Sequence, residues 1–199
     1  GNFDLPETVI HNSVPLDLFN PKGNNYRDYL NLNANDRILI TSAHWRTHKR
    51  LKETIKLVNF LNEKVSKNYR YKLIVLGNNK KTESNENVIY AGEISPSKLS
   101  DWYRTADIYI HLAWIEPCGN TQIEAMASGL PVICCNNGGI GETVKNAHGG
   151  IVVDCDQKYV MNKIDYYNPP EPNYEKLISA VNKIFDNYLF YKNQINYDY

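Results

Sequence analysis

The chain has 199 residues and 22.9 kDa, with 22 basic and 22 acidic side chains, a formal net charge of zero and 42% hydrophobic residues. That length buries a substantial core and suits one domain of ordinary size. Neutrality excludes a protein built to coat nucleic acid or an anionic membrane, since both need a standing positive field, and no apolar run approaches the roughly 20 residues of a membrane-spanning helix.

Val9-Ile10-His11-Asn12-Ser13-Val14 reads as a short β-like segment, followed by a loop rich in Pro, Asn and Gly to about Asp36. Arg37 to Ser42 is the first clear strand. After a basic loop, Leu51 to Lys67 runs at helical period, with Leu51, Ile55, Val58, Leu61 and Val65 on one face. Tyr71 to Gly77 is a second strand, ending in a polar loop over 78–87, and Val88 to Gly92 is a third. Ser95-Pro96 opens a helix to about Thr105, with proline where its missing N–H costs nothing.

Asp107 to Leu112 is the fourth strand, leading through Ala113 to Gly119 into a helix from about Asn120 to Ser128, which Gly129 ends. Pro131 to Cys134 is the fifth strand, Gly138 to Val144 a glycine-rich turn into a short helix, and Gly150 to Val153 the last strand. A Pro- and Tyr-rich linker over 166–172 precedes a helix from about Tyr174 to Phe190. Strands alternating with helices predict an α/β fold, one open parallel sheet flanked by helices.

The cysteines are Cys118, Cys134, Cys135 and Cys155, with no C-x-x-C pair. Cys134 and Cys135 lie in an apolar run and read as core packing. Reduced thiols, with no signal-peptide pattern over Gly1 to Pro6, point to a cytoplasmic location.

In open α/β sheets ligands bind beyond the carboxyl ends of the strands, and three segments fall there. His44-Trp45-Arg46-Thr47-His48-Lys49-Arg50 gathers three fixed cations and two histidines before a helix, which suits a phosphate or diphosphate; the plainer reading is a solvated helix start. Glu116 and Glu124 straddle the next strand-to-helix turn. A carboxylate accepts two hydrogen bonds side by side and so matches the vicinal hydroxyls of a ribose or sugar; capping and dipole compensation are the plainer roles. Glu124 flanks a core face of Ile123, Met126, Ala127 and Leu130. Gly138-Gly139-Ile140-Gly141 offers unhindered amides to an anion, without completing a dinucleotide fingerprint. His111, five residues before Glu116, is either a core histidine or a participant.

Glu116-Pro117-Cys118-Gly119-Asn120-Thr121-Gln122-Ile123-Glu124-Ala125-Met126-Ala127-Ser128-Gly129-Leu130-Pro131-Val132-Ile133 resembles the E-x7-E motif of family four retaining glycosyltransferases with the GT-B fold. The likeness continues through Gly138-Gly139 and Glu142 to Gly150-Ile151-Val152-Val153. Upstream it takes in Val9 to Val14, Leu18-Phe19, Val88 to Gly92, Leu99, Tyr103 and Ala106-Asp107, so it covers about residues 9–155.

The resemblance implies the Rossmann-like C-terminal half of a two-domain enzyme, which binds a UDP- or GDP-linked sugar. An N-terminal domain, expected outside this chain, would take an acceptor that the sequence does not name. Residues 1–15 would be an interdomain linker, 16–172 the donor-binding domain and 173–199 a C-terminal helix and tail. Glu124 would bind the ribose and Glu116 the donor sugar. Backbone at Gly119, Asn120, Thr121 and Gly139 would hold phosphate or sugar oxygens, and Ile94 would edge the base.

The family pairs an Arg with a Lys five residues later on the diphosphate. Here the Lys is Lys49, but His44 takes the Arg position, with Arg46 and Arg50 as substitutes from other positions. The usual glycine after the first glutamate is Pro117. The resemblance implies that cations serve in place of a metal, so no Asp-x-Asp metal motif, metal or cofactor is expected. Any approach to the cytosolic face of a membrane would come through the other half. Other readings are a non-catalytic nucleotide-sugar-binding or scaffold module of the same fold, motivated by His44, and a nucleotide-sugar epimerase.

Overall fold

The computed structural model describes residues 12–65, 68–78, 85–154, 160 and 163–196. Six strands form one sheet: β1 (Asp36–Ser42), β2 (Arg70–Leu76), β3 (Val88–Gly92), β4 (Ile108–His111), β5 (Val132–Cys135) and β6 (Gly150–Val153). Every pairing is parallel and the order is β3-β2-β1-β4-β5-β6. This is the Rossmann-type order, and its direction reverses between β1 and β4. Register brings Ile40 beside Tyr109 and His111 beside Cys134.

Because side chains alternate across a strand, a sheet covered on both faces needs continuous apolar runs. In β1, Ile38 and Ile40 enter one core while Leu39 enters the other. In β5, Val132 and Cys134 face the first core, and Ile133 and Cys135 the second. Cys134 and Cys135 are thus buried, Cys118 is exposed, and Cys155 lies outside the described residues.

The first core is covered by α2 (Pro96–Thr105), α3 (Thr121–Ala127) and α4 (Ile140–Asn146), through Tyr103, Ala125, Met126 and Val144. The second is covered by α1 (Leu51–Lys64) and α5 (Tyr174–Asp186), through Leu57, Val58, Leu61, Leu177, Val181 and Ile184. On α1 the buried face is Thr54, Leu57, Val58 and Leu61, while Leu51, Ile55 and Val65 sit at its border. On α3 it is Gln122, Ala125, Met126 and Ala127, with Ile123 half-buried.

The structure departs from the sequence expectations at the ends. Residues 12–14 form no strand, and Val9 to His11 lie outside the described residues. The single helix expected from Tyr174 to Phe190 is two, α5 and α6 (Tyr188–Gln194), because Asn187 leaves helical geometry at φ −131°, ψ 38°. Its side-chain amide donates to the Lys183 carbonyl at 3.2 Å, ending α5. Beyond α6, Ile195 is buried in the first core and the Asn196 amide donates to the Ala147 carbonyl at 2.8 Å.

Candidate active site at the β1–β4 crevice

The loops leaving β1 and β4 flank the point where strand order reverses, and a hydrogen bond from the Trp114 amide to the His48 carbonyl, 2.7 Å, joins them. After β1 the chain makes one 3-10 turn at Thr47–Lys49, and Arg50 then adopts left-handed geometry at φ 55° before α1 begins. That kink turns successive side chains in opposite directions. Lys49 faces the crevice and forms an ion pair with Glu116.

Arg50 faces the interior and is fully buried. It donates to the carbonyls of Pro170 and Leu112, and its guanidinium lies 5.2 Å from the Trp114 ring centroid. The expected contact of Arg50 with a diphosphate is therefore corrected: its charge is sequestered beneath the loops. His44 and Arg46 remain exposed on the loop. His48 stands edge-on to Tyr166 at 5.4 Å, and burial, then Lys49 and Arg46, lowers its pKa.

Glu116 is 9% exposed. Its Oε2 meets Lys49 Nζ and stands 3.2 Å from His111 Nε2. Burial alone would raise the Glu116 carboxyl, but the hydrogen bonds and charges of its two partners outweigh it and hold the carboxyl well below the ordinary range. His111, the last residue of β4, is itself buried, and desolvation keeps its pKa below the ordinary value against the pull of Glu116.

Glu124 lies one turn into α3, half-buried. Tyr103 of α2 donates its hydroxyl to Glu124 Oε2 at 2.9 Å. Burial raises the Glu124 carboxyl, and the Tyr103 hydrogen bond opposes that shift. The Tyr109 hydroxyl of β4 hydrogen-bonds with Thr121 Oγ1 at 2.7 Å and lies within electrostatic reach of both carboxylates. Tyr109 thus links the surroundings of the two glutamates, and Lys49 is a cation beside Glu116.

The segment before α3 is built to approach closely. Gly119 is buried, and a Cβ there would strike the Gln122 side chain. Asn120 is exposed and accepts from Asn12 Nδ2 at 2.7 Å; Thr121 opens the helix, which has no side-chain cap among the described residues.

The glycine-rich turn after β5 works differently from the expectation. The Gly139 amide donates to the Pro117 carbonyl at 3.2 Å and the Ile140 amide to the Glu116 carbonyl at 3.4 Å. These amides are committed to protein, so Gly139 is not an anion cradle. Gly138, at φ +91°, lets its backbone pass against the 116–117 segment where a Cβ would collide. The turn supports Glu116 from below. Ile94, after β3, is half-buried against the first core.

The expected absence of an Asp-x-Asp triplet fails on the sequence itself, which contains Asp154-Cys155-Asp156. Asp154 is exposed and accepts from Asn136 at 3.3 Å, and positions 155 and 156 lie outside the described residues. No group of three metal-ligating side chains occurs among the described residues, nor any helix long and apolar enough to cross a membrane. The role of Tyr103 and the pairing of Lys49 with Glu116 were not foreseen. Both depend on contacts between elements, although the placement of His111 five residues before Glu116 was a usable signal for the third partner.

A family model described as "Glycosyl transferases group 1" matches residues 23–183. Among curated proteins, the D-inositol 3-phosphate glycosyltransferase of Rhodococcus jostii is 42% identical over 60 residues, 30% of this chain and 13% of that protein. Sucrose-phosphate synthase 4 of Arabidopsis thaliana is 39% identical over 71 residues, 34% of this chain and 7% of that protein. Among solved structures, the sucrose-phosphate synthase of Thermosynechococcus elongatus superposes with a TM-score of 0.70 at 21% identity, over 92% of this chain and 44% of that one. Anabaena HepE in complex with UDP-glucose superposes at 0.68 and 18% identity, over 94% of this chain and 50% of that one. These structural likenesses establish a shared fold. The chain spans about half the length of the solved structures it matches.

Proposed function

The chain belongs to the group 1 glycosyl transferases, and from that membership we propose that it binds the nucleotide-sugar donor in a retaining transfer whose acceptor is held by a second domain. The observation that supports this reading is the Lys49–Glu116 pair on the loops after β1 and β4, where the strand order reverses, with Glu124 within electrostatic reach of the same Tyr109. Glu124 accepts from the ribose hydroxyls and Glu116 from hydroxyls of the donor sugar. Lys49, Arg46 and the amides around Gly119, Asn120 and Thr121 face the diphosphate, with His44 at the rim and Ile94 toward the base.

Transfer breaks the bond from the anomeric carbon to the diphosphate oxygen and forms one to the acceptor oxygen. Negative charge grows on the diphosphate as the carbon becomes oxocarbenium-like, and a cation already in place stabilises it without reorganising solvent. Attack on the face the leaving group vacates retains configuration, with the departing phosphate taking the acceptor's proton. No step is assigned to a metal. The location consistent with a nucleotide-sugar donor is the cytoplasm.

A second reading, a nucleotide-sugar-binding module without transfer, is favoured by one observation. His44 stands where a second fixed cation is expected, and Arg50 is buried, so Lys49 and Arg46 are the fixed cations left in this loop to face a diphosphate.

Thermal unfolding with UDP- and GDP-sugars tests the donor assignment. UDP-glucose comes first because HepE was solved with it. A ligand that binds only the folded state raises the midpoint as its concentration exceeds Kd. A rise with at least one donor, abolished by Glu124→Ala, is expected. A folded chain that no nucleotide sugar stabilises would sink the proposal.

A further inference from the structure

Glu116 meets the crevice with one oxygen already committed. Both its protein partners, Lys49 Nζ and His111 Nε2, meet Oε2, and neither is directed at Oε1. The two donors differ in kind. Lys49 is a charge on a flexible four-carbon stem, and the proposed reaction also asks it to follow the leaving diphosphate. His111 has no such freedom: its ring is 5% exposed and stacks on Tyr109 at 6.3 Å and 22°. Tyr109 is in turn fixed by hydrogen bonds to the Ser42 carbonyl at 3.2 Å and to Thr121 Oγ1 at 2.7 Å. The ring therefore sits at the end of β4, held by β1 and α3.

His111 Nε2 makes no other hydrogen bond among the described residues, and Glu116 Oε2, 3.2 Å away, is the acceptor within its reach; a proton on that nitrogen avoids two facing lone pairs. Glu116 on the loop after β4, Lys49 on the loop after β1 and the Tyr109 hydroxyl are the titratable groups against the ring.

We propose that His111 is a positioning residue for Glu116: its imidazole donates from Nε2 to Glu116 Oε2 and keeps Oε1 turned toward the hydroxyls of the donor sugar. This rests on the reading that Glu116 contacts the sugar. It explains why a polar ring ends an otherwise apolar strand, and why the carboxylate keeps its orientation when Lys49 turns to the diphosphate.

The test compares affinities for UDP-glucose and UDP, and for GDP-glucose and GDP, by calorimetry in wild type, His111→Leu and His111→Gln. Gln carries an N–H at comparable reach; Leu carries none. A hydrogen bond to a charged group is worth enough to expect His111→Leu to weaken the nucleotide sugar on the order of tenfold. The matching nucleotide should be unchanged, and His111→Gln should stay within about twofold of wild type for both ligands.

In a Glu116→Ala background, His111→Leu should cost nothing further, because a coupled pair is non-additive. A merely structural histidine would give equal losses for nucleotide and nucleotide sugar, with no rescue by Gln and additive effects in the double variant. That outcome, or a His111→Leu variant as tight as wild type, overturns the inference and leaves the donor reading standing. Wild-type binding of the nucleotide with no gain from the sugar removes Glu116 from the sugar site, and the inference with it. Failure of wild type to bind any of the four ligands overturns the donor reading as well.

Discussion

Lys49 and Glu116 form a pair that neither residue can leave without consequence. Their side chains are 18% and 11% exposed, so removing one strands a desolvated charge. Lys49→Ala should cost about 3 kcal/mol of stability, as breaking buried pairs does, beyond any loss of activity; urea unfolding reads the first effect separately. The same pair gives an acid limb to stability. The Glu116 carboxyl is lowered from 4.5 to about 2. Its contribution is therefore complete above 4.5 and is lost as pH falls through that window. Unfolding followed from neutral pH to acid should show that limb, and Glu116→Gln should flatten it.

Glu124 shifts the other way. Burial raises it while Tyr103 opposes, so nucleotide affinity should fall as pH drops through its raised pKa. Tyr103→Phe should move that fall to higher pH, and a binding profile that does not move would show the hydrogen bond to be unimportant. Arg46, exposed on the loop, is a simpler case. Arg46→Ala should weaken nucleotide diphosphates and reduce the salt dependence of their binding, because a screened surface charge has been removed. Affinities at two ionic strengths check this.

At the scale of elements, the strands and most helices were legible because a doubly covered sheet demands unbroken apolar runs and the helices keep their period. Gly129 shows the same legibility in a turn. It sits at φ +85°, its amide donates to the Met126 carbonyl at 2.8 Å, and the Leu130 amide donates to the Ala125 carbonyl at 3.0 Å, the paired closure of a helix end. A Cβ there would meet Pro21 Cβ at 2.9 Å. Gly129→Ala should cost about 2 kcal/mol from left-handed strain and contact together, and Gly92→Ala, at φ +74° in open space, only about 1 kcal/mol. Equal losses by thermal unfolding would refute the contact.

What was not legible follows from the same physics. Nothing in the order Lys49-Arg50 tells which cation faces Glu116 and which the interior, because one left-handed residue between a 3-10 turn and α1 sends them opposite ways. The Gly138-Gly139 turn looked like an anion cradle because glycine amides are accessible in isolation. Packing gave the Gly139 and Ile140 amides to the Pro117 and Glu116 carbonyls instead. The break at Asn187 was hidden because the apolar period runs on into Leu189 and Phe190, which are exposed on α6.

Over the whole molecule, two cores clamp a sheet whose carboxyl edge collects the site from residues 49, 103, 111, 116 and 124. The charges balance globally, as composition indicated, yet Lys49 stands at the crevice and Arg46 is exposed on the same loop, with Arg50 buried beneath. The domain division expected at residue 172 is crossed by packing: Leu177, Ala180, Val181 and Ile184 of α5 complete the second core. A donor bound at the crevice should therefore protect α1, α3 and the sheet as one body.

The claim that most depends on this architecture is that Glu116 and Glu124 divide one ligand between them. Calorimetry of the folded chain with a nucleotide sugar and its nucleotide measures it directly. Glu124→Ala should abolish binding of both ligands, and Glu116→Ala should weaken the nucleotide sugar while sparing the nucleotide. Binding of either ligand unaffected by both substitutions would contradict the account.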